Sequence, residues 1–144
     1  MQVHQILRHK PQTTVITVSP GSSVADAARL LAERRIGALI VSEDGTSPLG
    51  ILSERDIVRD LGRRGAICLN DKVETLMTRN LVSCAPADST DLVLGKMTAG
   101  RFRHMPVIED GRMVGIISIG DVVAAHISEL AMEKEALAGM IMGN

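Results

Sequence analysis

The chain repeats itself, and few sequence features restrict a fold more. Set Val15-Ile16-Thr17-Val18-Ser19-Pro20 above Leu81-Val82-Ser83-Cys84-Ala85-Pro86, an offset of 66. Pro20, Ser23, Arg35, Val41, Glu43 and Asp44 then meet identical residues at 86, 89, 101, 107, 109 and 110. Past the next turn the second copy is one residue shorter. At an offset of 65, Gly50, Ile51, Ser53, Asp56 and Val58 meet Gly115, Ile116, Ser118, Asp121 and Val123. The lead-ins agree as well: Val3-His4-Gln5-Ile6-Leu7 is similar to Val73-Glu74-Thr75-Leu76-Met77. Polar and apolar character stay in step too long for coincidence. One supersecondary unit is used twice.

Each copy reads in the same order. A short β segment (15–18, 81–84) ends at a proline and a helix follows, capped by Ser22 or Ser23 in one copy and by Asp88 in the other. Val24, Ala27, Ala28 and Leu31 recur at helical spacing, as do Val93, Leu94 and Met97. Two strands come next, 39–41 with 49–52 and 105–108 with 113–117. Asp44-Gly45 and Asp110-Gly111 stand at their bends, dipeptides that accept the positive φ of tight hairpins. A second helix starts after Ser53 or Ser118. The unit is β-α-β-β-α, and the fold class is α/β (α+β). Between the copies, Arg63-Arg64-Gly65 reads as a solvated bend and 72–77 as a short helix. Neither copy carries enough apolar surface to stand alone, so the two are expected to pack sheet against sheet as a pseudo-twofold module. The expected divisions are 3–69 for the first repeat with its lead-in, 70–128 for the second, and 129–144 for a helical extension.

Composition narrows the function. Over 144 residues the net charge is −1, which offers no global footprint for nucleic acid or an anionic membrane. The longest apolar runs, such as Gly37-Ala38-Leu39-Ile40-Val41, are too short to span a bilayer. Met1-Gln2-Val3-His4-Gln5 lacks the charged start and apolar core of a secretory signal. Cys68 and Cys84 form no CxxC motif and no disulfide framework, so a cytoplasmic location is expected. Phe102 is the sole aromatic, so the core is aliphatic, with the eight methionines helping to fill it. A planar ligand would lie between aliphatic side chains and backbone.

The chemistry concentrates where the copies agree best. Gly50-Ile51-Leu52-Ser53-Glu54-Arg55-Asp56 and Gly115-Ile116-Ile117-Ser118-Ile119-Gly120-Asp121 each place a strand, a hydroxyl at a helix N-cap, and an Asp in the first turn. Taken singly this is a capping box. Taken twice, facing a shared cleft, it is also a prepared anion site with an acidic side chain able to accept from a ribose diol.

On these residues the chain resembles the CBS-domain family, in its paired-repeat form known as a Bateman module, over about residues 3–127. The resemblance rests on a G-h-x-[ST]-x-x-D signature in both copies and on Arg103-His104-Met105-Pro106-Val107 in the second. It implies adenosine-containing ligands between the repeats: AMP, ADP, ATP, NAD or S-adenosylmethionine, with AMP, ATP or NAD foremost. It also implies that Asp56 and Asp121 hold ribose hydroxyls and that Ser53 and Ser118 meet phosphate. Backbone near Ile16 and Val82 would touch the base, and two modules would associate into a homodimer.

The copies also differ. Arg103-His104-Met105-Pro106 stands opposite Gly37-Ala38-Leu39-Ile40, and Arg55 opposite Gly120. Basic side chains are thus unequally shared, and one site is expected to combine Ser53, Arg55 and Asp56 with Arg103 and His104. Solvated surface charge is the plain alternative for Arg55 and Arg103.

Other chemistries find little support. His4, His9, His104 and His126 show no metal-ligand spacing, and no metal is expected. Ser53 and Ser118 lack a GxSxG frame, so no enzyme is expected. After Asp121 the helix runs without Pro or Gly as far as Gly139. Along it Val123, Ile127, Leu130, Leu137 and Ile141 keep a 4-3 rhythm, interrupted by Lys134, that suits a dimer contact. The expected function is a non-catalytic, regulatory nucleotide sensor acting on an unidentified partner protein, without nucleic acid or membrane. The alternative is a dimeric scaffold whose clefts stay empty.

Overall fold

A computed structural model describes residues 1–10 and 15–143; residue 144 of the extension lies outside them. In chain order the elements are α1 (Val3–His9), β1 (Thr17–Val18), α2 (Val24–Arg34), β2 (Ala38–Val41), β3 (Gly50–Ser53) and α3 (Glu54–Arg64). A 3-10 turn (Gly65–Asn70) leads to α4 (Val73–Leu76), α5 (Thr90–Gly100), β4 (His104–Glu109), β5 (Arg112–Ser118) and α6 (Ile119–Ile141). The twice-used unit is present, with differences that have local causes.

In the first copy β1 runs parallel to β2, which pairs antiparallel with β3. In the second copy 81–84 does not form the expected strand; only a single bridge joins Cys84 to Val107. Proline chemistry explains this. The Ile40 N–H donates to the Ile16 carbonyl at 3.2 Å, but Ile40's counterpart Pro106 has no N–H to give to Val82. Only Cys84 N–H to Pro106 O (3.1 Å) and Ile108 N–H to Cys84 O (2.8 Å) remain.

The caps also differ from expectation. Ser23 accepts from the Asp26 N–H at 3.0 Å at the start of α2, and its repeat partner Ser89 does the same for α5 through Leu92 at 3.1 Å. Asp88 is not the cap; its carboxylate accepts from the Ala85 N–H at 2.8 Å in the preceding turn. Asp110-Gly111 forms the tight β4–β5 bend, with φ of 52° and 77° between paired Glu109 and Arg112. Asp44-Gly45 lies in a longer loop, where the Asp44 carboxylate accepts from Thr46 and Ser47 N–H groups. Arg63-Arg64-Gly65 is the end of α3 rather than a free bend, since Arg64 pairs with Asp60 and Asp71.

Two aliphatic cores result. One gathers Val24, Ala27, Leu31, Leu39, Val41, Leu52 and Ile57, and Val73 and Met77 from the second lead-in join it. The other gathers Val93, Met97, Met105, Val107, Ile117 and Val122 with Val3 and Ile6 from the first lead-in. Each lead-in thus completes the core of the other repeat. Strand β2 is buried along its whole length. Alternation points Leu39 and Val41 at the helices, so Ala38 and Ile40 turn toward the second repeat. This interlocking arrangement positions the inter-repeat clefts.

The paired glycines Gly50 and Gly115 make room for the exchanged lead-ins. A Cβ on Gly50 would stand 2.5 Å from Met77 Sδ and 2.9 Å from the Thr78 carbonyl; one on Gly115 would stand 2.7 Å from a Leu7 methyl. Thr78 cannot retreat freely, because it exchanges both backbone hydrogen bonds with Ile51 (2.9 and 3.0 Å). Gly50→Ala is therefore expected to destabilise the fold by roughly 1–3 kcal/mol through overpacking. A urea midpoint unchanged from wild type would contradict the close approach. Among the described residues no helix is long and apolar enough to cross a membrane.

Candidate functional site

Both β-strand-to-helix junctions fold as the capping pattern requires. Ser53 Oγ accepts from the Asp56 N–H at 3.3 Å, and Asp56 Oδ2 accepts from the Ser53 N–H at 2.9 Å and from its hydroxyl at 3.1 Å. The second copy repeats this, with Ser118 N–H to Asp121 Oδ2 at 2.9 Å and Asp121 N–H to Ser118 Oγ at 3.1 Å. The Ser53 backbone and hydroxyl both donate to Asp56 Oδ2, so the box does not use Oδ1, which lies 3.6 Å from Arg59.

Two clefts open beside these junctions. The first, of about 380 Å³, is lined by Ser53, Arg55, Asp56, Val82, Arg103 and His104, together with Ile51, Arg59, Asn80, Leu81, Arg101, Phe102 and Pro106. The second, of about 590 Å³, is lined by Ile16, Ser118 and Asp121 with Lys10, Arg35, Gly37, Ala38, Ile116 and again His104. Both volumes fall in the range of roughly 300–1,000 Å³ usual for small-molecule sites. All nine sequence-selected residues thus line one cleft or the other, and the basic group collects in the first. That cleft carries Arg55, Arg59, Arg101 and Arg103 against the single carboxylate of Asp56. A nearly neutral chain therefore holds a focused positive site.

Further residues escaped the reading of the sequence. Arg35 and Arg101 both end helices in the left-handed region, at φ of 54° and 56°, where a side chain is disfavoured. Their identity at matched repeat positions was the available signal. Lys10 follows α1, and its Nζ lies 2.9 Å from Asp121 Oδ2 and 2.8 Å from the Ile116 carbonyl. Nothing in its local sequence marked it. In the first cleft Val82 keeps a carbonyl that Pro106 cannot engage, whereas Ile16 in the second gives its carbonyl to Ile40.

Burial raises the carboxyl of Asp121, but the Ser118 hydrogen bond and Lys10 outweigh it and hold Asp121 below the usual carboxylate range. Burial pushes the Cys84 thiol up to about 11, so it stays protonated and unreactive at neutral pH. Among the described residues no cluster of His, Cys, Asp and Glu is suited to a metal ion.

His104 stands between the clefts, its ring 2.9 Å from where a Cβ on Gly37 would be. Burial lowers its pKa below the ordinary 6.5, although Glu54 and Asp121 act the other way and Lys10 and Arg103 add to the lowering. A folded pKa below the unfolded one means the unfolded chain binds more protons in that window. Its contribution is complete above pH 6.5 and is lost as pH falls through the folded value. Stability is therefore expected to fall as pH drops through 6.5 and below, and His104→Gln should flatten that slope. Equal slopes by chemical denaturation would contradict it. The window of Asp121 lies lower, beneath 3.8.

Comparison with known proteins agrees with this architecture. The CBS domain profile matches residues 3–63 and 73–128. The mitochondrial CBS domain-containing protein CBSX3 of Arabidopsis thaliana is 35% identical over 125 residues, covering 84% of this chain. The chain spans 61% of that relative's length. The crystal structure of a CBS-domain containing protein from Agrobacterium tumefaciens is 44% identical with a TM-score of 0.83, covering 88% of this chain and 99% of that one. The CBS domain pair of protein MJ0100, solved with 5'-methylthioadenosine and S-adenosyl-L-methionine, is 27% identical with a TM-score of 0.77, covering 90% and 98%. With the family profile matching both interlocked repeats, the chain belongs to the CBS-domain family.

Proposed function

We propose that this chain is a non-catalytic regulatory module that binds an adenosine-containing nucleotide of the AMP, ATP or NAD type in the cleft of Ser53, Asp56, Val82 and Arg103. The carrying observation is the pairing, in one cleft, of an Asp56 carboxylate oxygen that its capping box does not use with four arginines. A ribose diol can donate to that oxygen, while the arginines supply charge-assisted bonds to phosphate. The base has no aromatic platform beyond Phe102 and would lie among Ile51, Leu81, Val82 and Pro106, with the Val82 carbonyl available to an exocyclic amine. The ligands of the MJ0100 domain pair share the adenosine moiety and support this class. Ligand binding between interlocked repeats would change their relative packing and so the affinity for a partner protein. Equilibrium dialysis of nucleotide-stripped protein against AMP, ATP, NAD and UTP tests the reading. Retention of at least one adenine compound over UTP is expected; retention of none at millimolar concentration would contradict it and favour a scaffold with empty clefts.

A homodimer belongs to the same proposal. Helix α6 leaves Val123, Ile127, Leu130, Leu137 and Ile141 exposed, four of them by more than half. Apolar residues at this spacing are expected to meet a second copy. The chain should sediment as two copies, and truncation after Ser128 should weaken that association. A monomer at tens of micromolar would remove the dimer from the account.

A further inference from the structure

Of the side-chain types in the Asp56 cleft, only histidine ordinarily changes its charge between pH 5 and 8, and His104 is the histidine there. The arginines beside it keep their charge. His104 is half-buried where the repeats meet, and among the described residues it alone lines both clefts. Strand β4 pairs it with Ser118, and its ring abuts Gly37 of the first repeat, 2.9 Å from where a Cβ would stand. The ring is thus held in place from both repeats. Burial opposes its charged form most, and Lys10 after α1 and its neighbour Arg103 add to this, whereas Glu54 in α3 and Asp121 in α6 favour that form. These two carboxylates act through space and do not hydrogen-bond the ring. Arg35 lines the second cleft, and Arg55, Arg59 and Arg101 line the first with Asp56.

We propose that His104 takes up a proton when a phosphate enters the Asp56 cleft, so that the chain holds phosphorylated adenosine ligands more tightly as its surroundings acidify. The ligand class rests on the nucleotide reading above. The arginines that would draw a phosphate into this cleft include Arg103, the residue next to His104. A dianion among them offsets the cations that oppose a charged ring, and it can accept a charge-assisted hydrogen bond from that ring. The proton comes from solvent and adds to the ring nitrogen that lacks one; no bond within the protein breaks. The occupied form then binds more protons than the free form. Affinity therefore rises as pH falls from the pKa of the occupied form to that of the free form, which lies below 6.5. Adenosine brings no anion and gains nothing from acid. His104 makes the cleft respond to ligand charge and to pH together.

The test follows the His104 ring protons by NMR from about pH 5 to pH 8 in the nucleotide-stripped full chain, free and with saturating AMP or adenosine. The Ile51 methyls report whether the cleft is occupied. His104→Gln identifies the resonance, and single substitutions of His4, His9 and His126 identify it by elimination if that variant does not fold. AMP should raise the His104 pKa by about one pH unit or more, and adenosine should leave it nearly unchanged. The AMP affinity of wild type relative to His104→Gln should then tighten by up to about tenfold as pH falls across that window, a ratio in which the phosphate's own titration near about pH 6 cancels. Sodium sulfate, a dianion throughout, is compared with sodium chloride at equal ionic strength. AMP in the cleft with a rise of under about half a pH unit, or an equal rise with adenosine, would overturn the proton link. No shift at Ile51 with AMP would instead overturn the nucleotide reading. Sulfate then decides the proton link: a rise over chloride upholds it, and no rise overturns it.

Discussion

Asp56→Ala is expected to weaken AMP and adenosine alike by about ten- to a hundredfold, because it removes a charged acceptor worth roughly 1.5–3 kcal/mol from the shared ribose. The fold should tolerate the change. The capping box loses its Asp, but Ser53 Oγ still accepts from the backbone N–H at position 56. Arg103→Ala separates the two halves of the ligand. Arg103 lines the same cleft from the other repeat, so its loss should weaken AMP by a similar factor and leave adenosine within a few-fold. Calorimetry with both ligands on both variants distinguishes the roles. Equal losses of AMP and adenosine in Arg103→Ala would place the phosphate elsewhere, and unchanged affinity in Asp56→Ala would move the ribose.

Leu39→Ala should produce the largest loss of stability. Leu39 is fully buried opposite Leu52, among Val24, Ala27 and Leu31, with Val73 and Met77 arriving from the exchanged lead-in. Removing its branched end leaves a cavity bounded by strands on one side and by a segment of the other repeat, neither free to collapse. Leu→Ala at such a site costs about 2–5 kcal/mol. In a chain of this size that lowers the melting temperature by roughly 5–15 °C. A fall of under about 2 °C in thermal denaturation would show that the interlocked core does not bear on stability as described.

The sequence was most informative where physics acts locally. Repetition, proline and Asp-Gly punctuation and the Ser-x-x-Asp boxes announced the helices, strands and junctions, since capping and turn formation depend on neighbours a few residues apart. The exchange of lead-ins was hidden, because Val3-His4-Gln5-Ile6-Leu7 has the same apolar pattern whichever core receives it. The missing strand at 81–84 was legible in principle from Pro106, but only once the parallel register placed it opposite Val82. Lys10 was invisible for a related reason: its partner Asp121 lies 111 residues away, and no local pattern joins them. Arg101 was visible as a repeated residue without a role, since only the fold turns it into the first cleft.

The central claim is that an adenosine ligand enters the Asp56 cleft, and methyl NMR of the nucleotide-stripped chain titrated with AMP tests it most directly. Besides Phe102 and four histidines the chain has no aromatic ring, so an added adenine contributes a ring current that few residues of its own can match. The account predicts saturable shifts at the Ile51 and Val82 methyls, which line that cleft. No shift at millimolar AMP, or shifts confined to methyls outside both clefts, would contradict it.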